Sequence, residues 1–470
     1  MAFGSYEVGV IQRTPIPDIP AAEDETLAAL AREAHDMKRE RDRDEEITHP
    51  FTMPALVRLR HLPTLADAVQ TLSHEDAMRV ARLAAIQHEI DDTAFRLYDI
   101  SNADRKTLEG DPASRPITTV EGEPLPGVDE DATPQDAPDA EGGAADEEDA
   151  DAVQGADPAK LAADLISYCV GCAFGRWDVR LALASDLVPQ LADPFAPLPV
   201  CAPATLVGPD GLPATRDAIV SPAWLQARPD AITLPPDGTI ATPTIDPATY
   251  PLAIAWDGLL ADDPGQPRDI TAAVRAVLTL LYADRAAAIE AEACTLLGVS
   301  DLRTYLTSFG AFAETHIKRY SRSRRKAPIY WLLQSPRKHF TVWVYYHRLD
   351  RDLANKVLHL AQQRLTIAAY HLTQFQTDRD AQTGSNQRKL TKLVEQQSAL
   401  VADLQEFITR MEAIIALDLT PDRNDGVALN VAPWHALTPW KEARTVWQAL
   451  QAGKFTWSTI SQQLHPRQTQ

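Results

Sequence analysis

The clearest hydrophobic rhythm in the chain runs from Leu358 to Ile414. Leu358, Leu365 and Leu372 alternate with Ala361, Ala368 and Phe375. After a polar stretch over 377–385, Leu390, Gln397, Leu404 and Met411 alternate with Leu393, Leu400, Phe407 and Ile414. Both series are heptads, and together they predict an antiparallel pair of long, coiled-coil-like helices. The alanines of the first helix allow close approach. Val394, Val401, Ile408 and Ile415 widen the stripe of the second helix. That width requires a third element, either a helix expected over 270–297 or a partner protein.

Elsewhere the three- and four-residue spacing is shorter-ranged. It predicts a charged helix over 23–46, a short one over 62–73, and an amphipathic one from Glu75 that buries Leu83, Ile86, Ile90, Ala94, Leu97 and Tyr98. A buried helix is expected over 160–176. Another spans 270–297, started by Asp269 or Thr271 as cap, and a further one begins at Ser300. After Pro328 the period changes to two. Phe340, Val342, Val344 and Tyr346 face one way; Thr341, Trp343, Tyr345 and His347 face the other. With Ile329–Leu333 as partner strand and 334–339 as connection, this is a β-hairpin with aromatics on both faces. Burial between helices is the favoured reading of those aromatics over an aromatic surface for bases. Short strands are expected over 3–12, over 252–256 and within 424–435. Trp440, Trp447 and Trp457 fall in a helical region ending near Leu464. The fold class is therefore mainly α with small β elements (α+β).

Composition changes the picture in one segment. The 470 residues carry a net charge of -21, but 116–159 holds fourteen acids and no Lys or Arg. Such a stretch buries too little apolar surface to offset its ordering entropy, so 111–158 is expected to be a disordered acidic linker. Most of the 35 prolines fall between 110 and 270. The expected division is 1–22, a helical module 23–110, the linker, a helix with proline-rich loops 159–265, and a helical domain 266–470. No apolar run approaches the length of a membrane span, and four scattered cysteines suit a reducing compartment; the expected location is cytoplasmic, with no membrane partner. Cys169 and Cys172 lie in an apolar helical run and read as small core residues.

Against the acidic average, 303–349 holds ten Lys or Arg and one acid, Glu314. Six of the cations crowd into 318–326. A local excess of positive charge points to a polyanion. The candidate DNA-contacting residues are Lys318, Arg319, Arg322, Arg324, Arg325, Lys326, Tyr330, Trp331, Arg337 and Lys338. The arginines suit phosphates or guanine edges. The mixed-sign run 39–46 reads as a solvated helix face, and Glu89, Asp91 and Asp92 as solvated acids rather than metal ligands. No glycine-rich phosphate loop, His-Glu-x-x-His helix or Gly-x-Ser-x-Gly elbow occurs. Nor does the Asn/Asp-Pro-Pro-Tyr/Phe tetrapeptide of amino-methyltransferases; Asp193-Pro194-Phe195 is the nearest approach. No catalytic, cofactor-binding or metal-binding residue is assigned.

Several separated blocks carry a resemblance. They are 89–100, 165–178, 250–265, 318–331, 343–349 and 424–441, with Arg324-Arg325-Lys326-Ala327-Pro328-Ile329-Tyr330-Trp331 the most specific. Together they resemble the C-terminal half of large bacterial adenine-specific DNA methyltransferases. These are type IIG-like restriction-modification enzymes, in particular the PglX methyltransferases of BREX phage-defence systems. The resemblance implies a family whose N-terminal half binds S-adenosylmethionine and carries the catalytic loop. This chain begins where that family's target-recognition region would be ending, with residues 1–22 as its residue. The expectation is a non-catalytic DNA-binding and specificity portion. Its partners would be double-stranded DNA and a separate methyltransferase chain or other defence-system subunits, with S-adenosylmethionine held elsewhere. The alternatives are a protein-interaction scaffold that docks a methyltransferase subunit, and an enzyme complete in itself.

Overall fold

In the computed structural model, residues 15–109, 156–190, 193, 195, 200–226, 244–245, 249–322 and 325–466 are described. The strand expected over 3–12 and nearly all of the expected linker lie outside them. The backbone divides into two compact units. One takes Met1–Met37 with Glu75–Gly155; the other takes Lys38–His74 with Ala156–Gln470. The expected boundary near 265 is not a division of the structure, because residues on both sides of it share one core.

Helices α1 (Ala21–Asp42), α2 (Ala55–Arg58), α3 (Leu65–Leu97) and α4 (Asn102–Glu109) open the chain. The helices expected over 62–73 and from Glu75 are one: α3 runs unbroken for 33 residues. Thr64 starts it by accepting the Asp67 N–H, and nothing at Ser73 or His74 interrupts the backbone ladder. In the first unit Leu30 and Ile86 are buried. Arg82 makes a two-pronged pair to Glu33, 2.7 Å on both arms, and reaches Glu89. Glu89, Asp91 and Asp92 are engaged by Arg82, Gln87 and Arg105.

The second unit is built around α5 (Pro158–Ala173), which is buried on nearly every side from Ala162 onwards. A helix apolar all round belongs at the centre of a core. Asp157 caps it by accepting the Ala159 N–H, with Pro158 in the first turn where no N–H is needed. Cys169 and Cys172 are both buried and unbonded within it, and burial pushes both thiols up. Next come α6 (Val179–Leu183), β1 (Ile219–Val220), α7 (Pro222–Gln226) and β2 (Thr244–Ile245), with β1 and β2 paired antiparallel.

Strand β3 (Leu259–Ala261) replaces the one expected at 252–256. The displacement follows from Gly258, at φ +71°. Its carbonyl accepts the Tyr345 N–H, and a Cβ there would stand 2.6 Å from Cβ of Arg348. The helix expected over 270–297 is two, α8 (Ile270–Tyr282) and α9 (Ala286–Leu296), broken at Ala283 with φ +52°. The Arg285 side chain beyond the break donates to the carbonyls of Arg60, Leu62 and Pro63. Then follow α10 (Leu302–Thr307), a wide turn over Phe309–Ala313, and α11 (Glu314–Arg319).

Strands β4 (Ser321–Arg322) and β5 (Arg325–Lys326) pair with each other. The predicted aromatic hairpin is β6 (Tyr330–Gln334) and β7 (Thr341–Tyr345), in register Trp331 to Val344 and Leu333 to Val342. With β3 on the far side of β7 it forms a three-stranded antiparallel sheet. Every residue of β6 and β7 is buried, so the aromatics on both faces pack into the protein.

The heptads form α12 (Leu353–Asp380) and α13 (Gly384–Ile415). Ala361 and Ala368 are wholly buried, and Gln397 donates to the Ala368 carbonyl across the pair. The connection of the aromatic hairpin packs on α13 and supplies a third element. Asp403 lies at zero exposure and accepts from Ser335 Oγ at 2.5 Å, Arg337 N at 2.8 Å and His339 N at 3.1 Å. Phe407 meets Phe340 edge-on at 5.3 Å. The strand expected within 424–435 is a short helix, α14 (Val427–Val431); a five-residue apolar run has no period long enough to separate the two. Helices α15 (Lys441–Gln451) and α16 (Thr459–Leu464) complete the chain. The fold is mainly α with a small antiparallel sheet. Among the described residues no helix is long and apolar enough to cross a membrane.

Candidate functional site

The exit of α5 sets the first element of the site. Gly175 takes φ +67°. Its N–H bonds to the Cys172 carbonyl and the Arg176 N–H to that of Gly171, the paired closure by which a left-handed glycine ends a helix. Trp177 then folds back over the helix, where a Cβ on Gly171 would stand 2.3 Å from its ring. The Arg176 guanidinium carbon lies over that indole, 4.0 Å from the centroid, a favourable placement of a cation on a π face.

Glu46 receives Arg176. Its carboxylate accepts from Arg176 and Arg319, each at 2.7 Å, from Ser167 Oγ at 2.6 Å and from the Tyr320 hydroxyl at 2.8 Å. Arg319 also grips Asp164, which takes a second cation, Lys160, at 3.1 Å. Lys160 in turn reaches Glu45 at 2.7 Å. Burial alone would raise the Glu46 carboxyl, but the two guanidiniums and the Ser167 hydrogen bond outweigh it and bring it down to about 2. Beneath this group His316 is buried and accepts the Tyr330 N–H on Nε2 at 3.1 Å. Burial, aided by Arg319 and Arg176, pushes its imidazole down to about 3 despite Glu46. It is neutral, with the proton on Nδ1.

Above these groups opens a cleft of about 800 Å³. Its lining includes Arg176, Arg319, Arg348 and Arg423, His49 and His347, Trp177, Tyr320 and Tyr345, and one acid, Glu46. Arg348 leaves the end of β7, donates to the Ala214 carbonyl at 2.7 Å and stacks 5.1 Å over Trp256. Arg423 donates to the His347 carbonyl at 3.1 Å, while its own carbonyl accepts the Tyr346 hydroxyl at 2.5 Å. His347 is pushed down to about 4, by burial first and then by Arg176, Arg423 and Arg348.

The residues predicted for DNA contact separate into four groups. Tyr330 and Trp331 are each 2 % exposed and lie in the middle of the sheet, so neither presents a face to a duplex; alternation in β6 buries both because the sheet is covered on both sides. Arg319 is likewise spent inside, its side chain 12 % exposed between Glu46 and Asp164. Lys318 is exposed beside Glu314, and Lys326 is exposed beside Glu442. The side chains of Arg322, Arg324 and Arg325 lie outside the described residues. Arg337 and Lys338 are exposed but stand at the turn of the hairpin. Five residues of strand, about 13 Å at 3.3 Å per step, separate them from the cleft end.

Sequence reading missed Glu46, Arg176, Arg348 and Arg423. The run 39–46 is not wholly a solvated helix face, since α1 stops at Asp42 and Glu46 is buried. Gly175-Arg176 after an apolar helix is the one local signal available, a helix exit delivering a cation. Among the described residues no group of His, Cys, Asp and Glu is arranged to hold a metal ion. No protein-family model and no curated protein matches the chain.

Proposed function

We propose that this chain is a DNA-binding, specificity-type component of a site-specific adenine-N6 DNA methyltransferase system of the restriction-modification or BREX kind, non-catalytic by itself. The observation that carries the DNA-binding part is the cleft lined, among the described residues, by four arginines and one acid. Lys318 and Lys326 add exposed positive charge in the segment that borders it. Their pairs with Glu314 and Glu442 are solvent-exposed, worth little, and open to exchange for phosphates. Arg337 and Lys338 supply a second contact at the hairpin turn. The methyltransferase context rests on the sequence resemblance. In this reading S-adenosylmethionine and the catalytic loop belong to a separate chain, and double-stranded DNA is the shared ligand.

Gel-shift titration of the full chain with duplex DNA across a salt series tests it. Each phosphate contact contributes about 0.9 to the slope of log affinity against log salt. A slope of roughly -3 or steeper is expected, flattening by about 1 for Lys318→Ala and for Lys326→Ala. Absence of any shift at low salt would reject the reading.

A second reading, a scaffold that docks a methyltransferase subunit, is favoured by the outer part of the α12–α13 pair. Tyr370 and Leu393 are exposed there, at 61 % and 40 %. Co-purification with a methyltransferase chain that Tyr370→Ser and Leu393→Ser abolish, without DNA affinity, would select it.

A further inference from the structure

We propose that the arginine-lined cleft is a site for a doubly charged phosphate group, with Arg348 and Arg423 as the recognition pair. The proposal rests on the same cleft as the nucleic-acid reading but makes a separate claim about scale: the ligand is a phosphate monoester or pyrophosphate unit, not a length of duplex.

Charge within the cleft divides cleanly. Arg176 and Arg319 are balanced by Glu46 and Asp164, which they touch directly. Arg348 and Arg423 have no acid within ion-pair distance among the described residues; both are anchored on backbone carbonyls instead. Asp422 and Asp425, the acids nearest Arg423 in sequence, make no direct ion pair with it, and the Asp422 charge acts on Arg423 only from a distance. Asp422 accepts from Asn424 N and Thr459 Oγ1, and Asp425 from the N–H groups of Thr459 and Ile460. The cleft therefore holds two guanidiniums with no acid bonded to them among the described residues, and both line one volume. Guanidinium forks match the oxygen geometry of phosphate and hold it by charge-assisted bonds.

Position supports the same conclusion. Arg348 is set by the close approach of Gly258 to its Cβ and by the Trp256 face. Arg423 is set by the Tyr346 hydroxyl on its carbonyl. Arginines from four separated places in the sequence converge here, with aromatic walls between them. A volume of about 800 Å³ falls within the range of about 300–1,000 Å³ usual for small-molecule sites. It takes one or two phosphates with a sugar. His347 reports the state of the site: burial first, and then three arginines, hold its imidazole low, and a bound dianion would offset the arginines.

The test is isothermal titration of the full chain with pyrophosphate at low salt, followed by ATP and by a short single-stranded oligonucleotide with or without a 5′-phosphate. Pyrophosphate is expected to bind, with affinity falling about tenfold or more for Arg423→Ala and again for Arg348→Ala, and less than twofold for Lys454→Ala, an exposed lysine that does not line the cleft. Arg423 is exposed, so its removal leaves the core intact. Arg423→Lys, which keeps the charge and loses the fork, is expected to fall between wild type and Arg423→Ala. In the NMR titration of His347, saturating pyrophosphate should raise the midpoint. ATP binding without preference for the 5′-phosphorylated strand identifies a nucleotide as the source; preference for that strand identifies a nucleic-acid end. No pyrophosphate binding, or binding unchanged by both arginine variants, overturns the proposal. Pyrophosphate binding without duplex shift rejects the DNA reading and leaves this site standing, and the converse rejects this site alone.

Discussion

The Glu46 carboxylate and the Arg319 guanidinium meet at 2.7 Å across 273 positions of sequence. Arg319 had every local mark of a DNA-facing cation, standing second in a run of six. It is instead the bolt between α11, the loop after α1, and α5. A buried carboxylate shared by two arginines is costly to break, because removing it strands Arg176 and leaves Arg319 with Asp164 alone; the loss for such a pair is about 3–5 kcal/mol. Glu46→Ala is therefore expected to lower unfolding free energy by about that much. Glu46→Gln, which keeps an acceptor oxygen, should lower it by less. Urea denaturation at neutral pH measures both. A change below about 0.5 kcal/mol in Glu46→Ala would show the network to be ornamental.

Acid should weaken the protein in two stages. His316 and His347 are neutral in the fold, with their imidazoles lowered to about 3 and about 4. Unfolded, each takes a proton below about pH 6.5. Between pH 6.5 and 4 the unfolded chain thus binds more protons, and stability falls as pH falls. Glu46, lowered to about 2, contributes stability present above its ordinary carboxylate range and lost between about 4.5 and 2. Urea midpoints should decline from pH 7 to 5, with a shallower decline in His316→Gln. A flat profile would contradict the neutral burial of His316.

Asp403 ties the hairpin connection to the long helices through four hydrogen bonds, one of them from Nδ1 of His339. Asp403→Ala leaves buried donors unpaired at about 1–3 kcal/mol each, so a total loss of about 3 kcal/mol is expected. The neighbouring Arg337→Ala, exposed at the same turn, should stay within about 0.5 kcal/mol. Hydrogen exchange at Arg337 N and His339 N should accelerate in Asp403→Ala. Unchanged protection there would refute the tie.

Gly171→Ala places a Cβ 2.3 Å from the Trp177 ring. Overpacking of this kind costs about 1–3 kcal/mol. The indole must shift, carrying Arg176 with it. Thermal melts should show the loss and tryptophan emission should move; a variant identical in both would mean the contact is loose.

Legibility followed the range of the interaction that decides each feature. The α12–α13 pair and the aromatic hairpin were readable because one buried face repeats over many residues, and the resulting fold class stands. The break at Ala283 was not, because alanines before and after it favour helix and the cause is Arg285 reaching the carbonyls of a distant segment. The shift from 252–256 to β3 depends on Gly258 approaching Arg348. The site was the least readable part. A mixed-sign run looks the same whether its last acid is solvated or buried, and only Arg319, far away in sequence, decides that for Glu46. Arg348 and Arg423 are single cations with no local pattern; the fold alone brings them to one cleft.

At 1.5 Å per residue, the 28-residue α12 is about 42 Å long, and its attachment has a mechanical meaning. The α12–α13 pair is fastened at its inner part, where Asp403 and Phe407 hold the hairpin turn and Arg364 meets Asp263 at 3.1 Å. Beyond Ala368 its surface is mostly solvent-facing. A load on the outer tip therefore acts as torque on a lever whose fulcrum is the β6–β7 connection. The far ends of those same two strands border the cleft through Tyr345. A partner that grasps the tip would be pulling, through the paired strands β6 and β7, on the wall that carries Arg348.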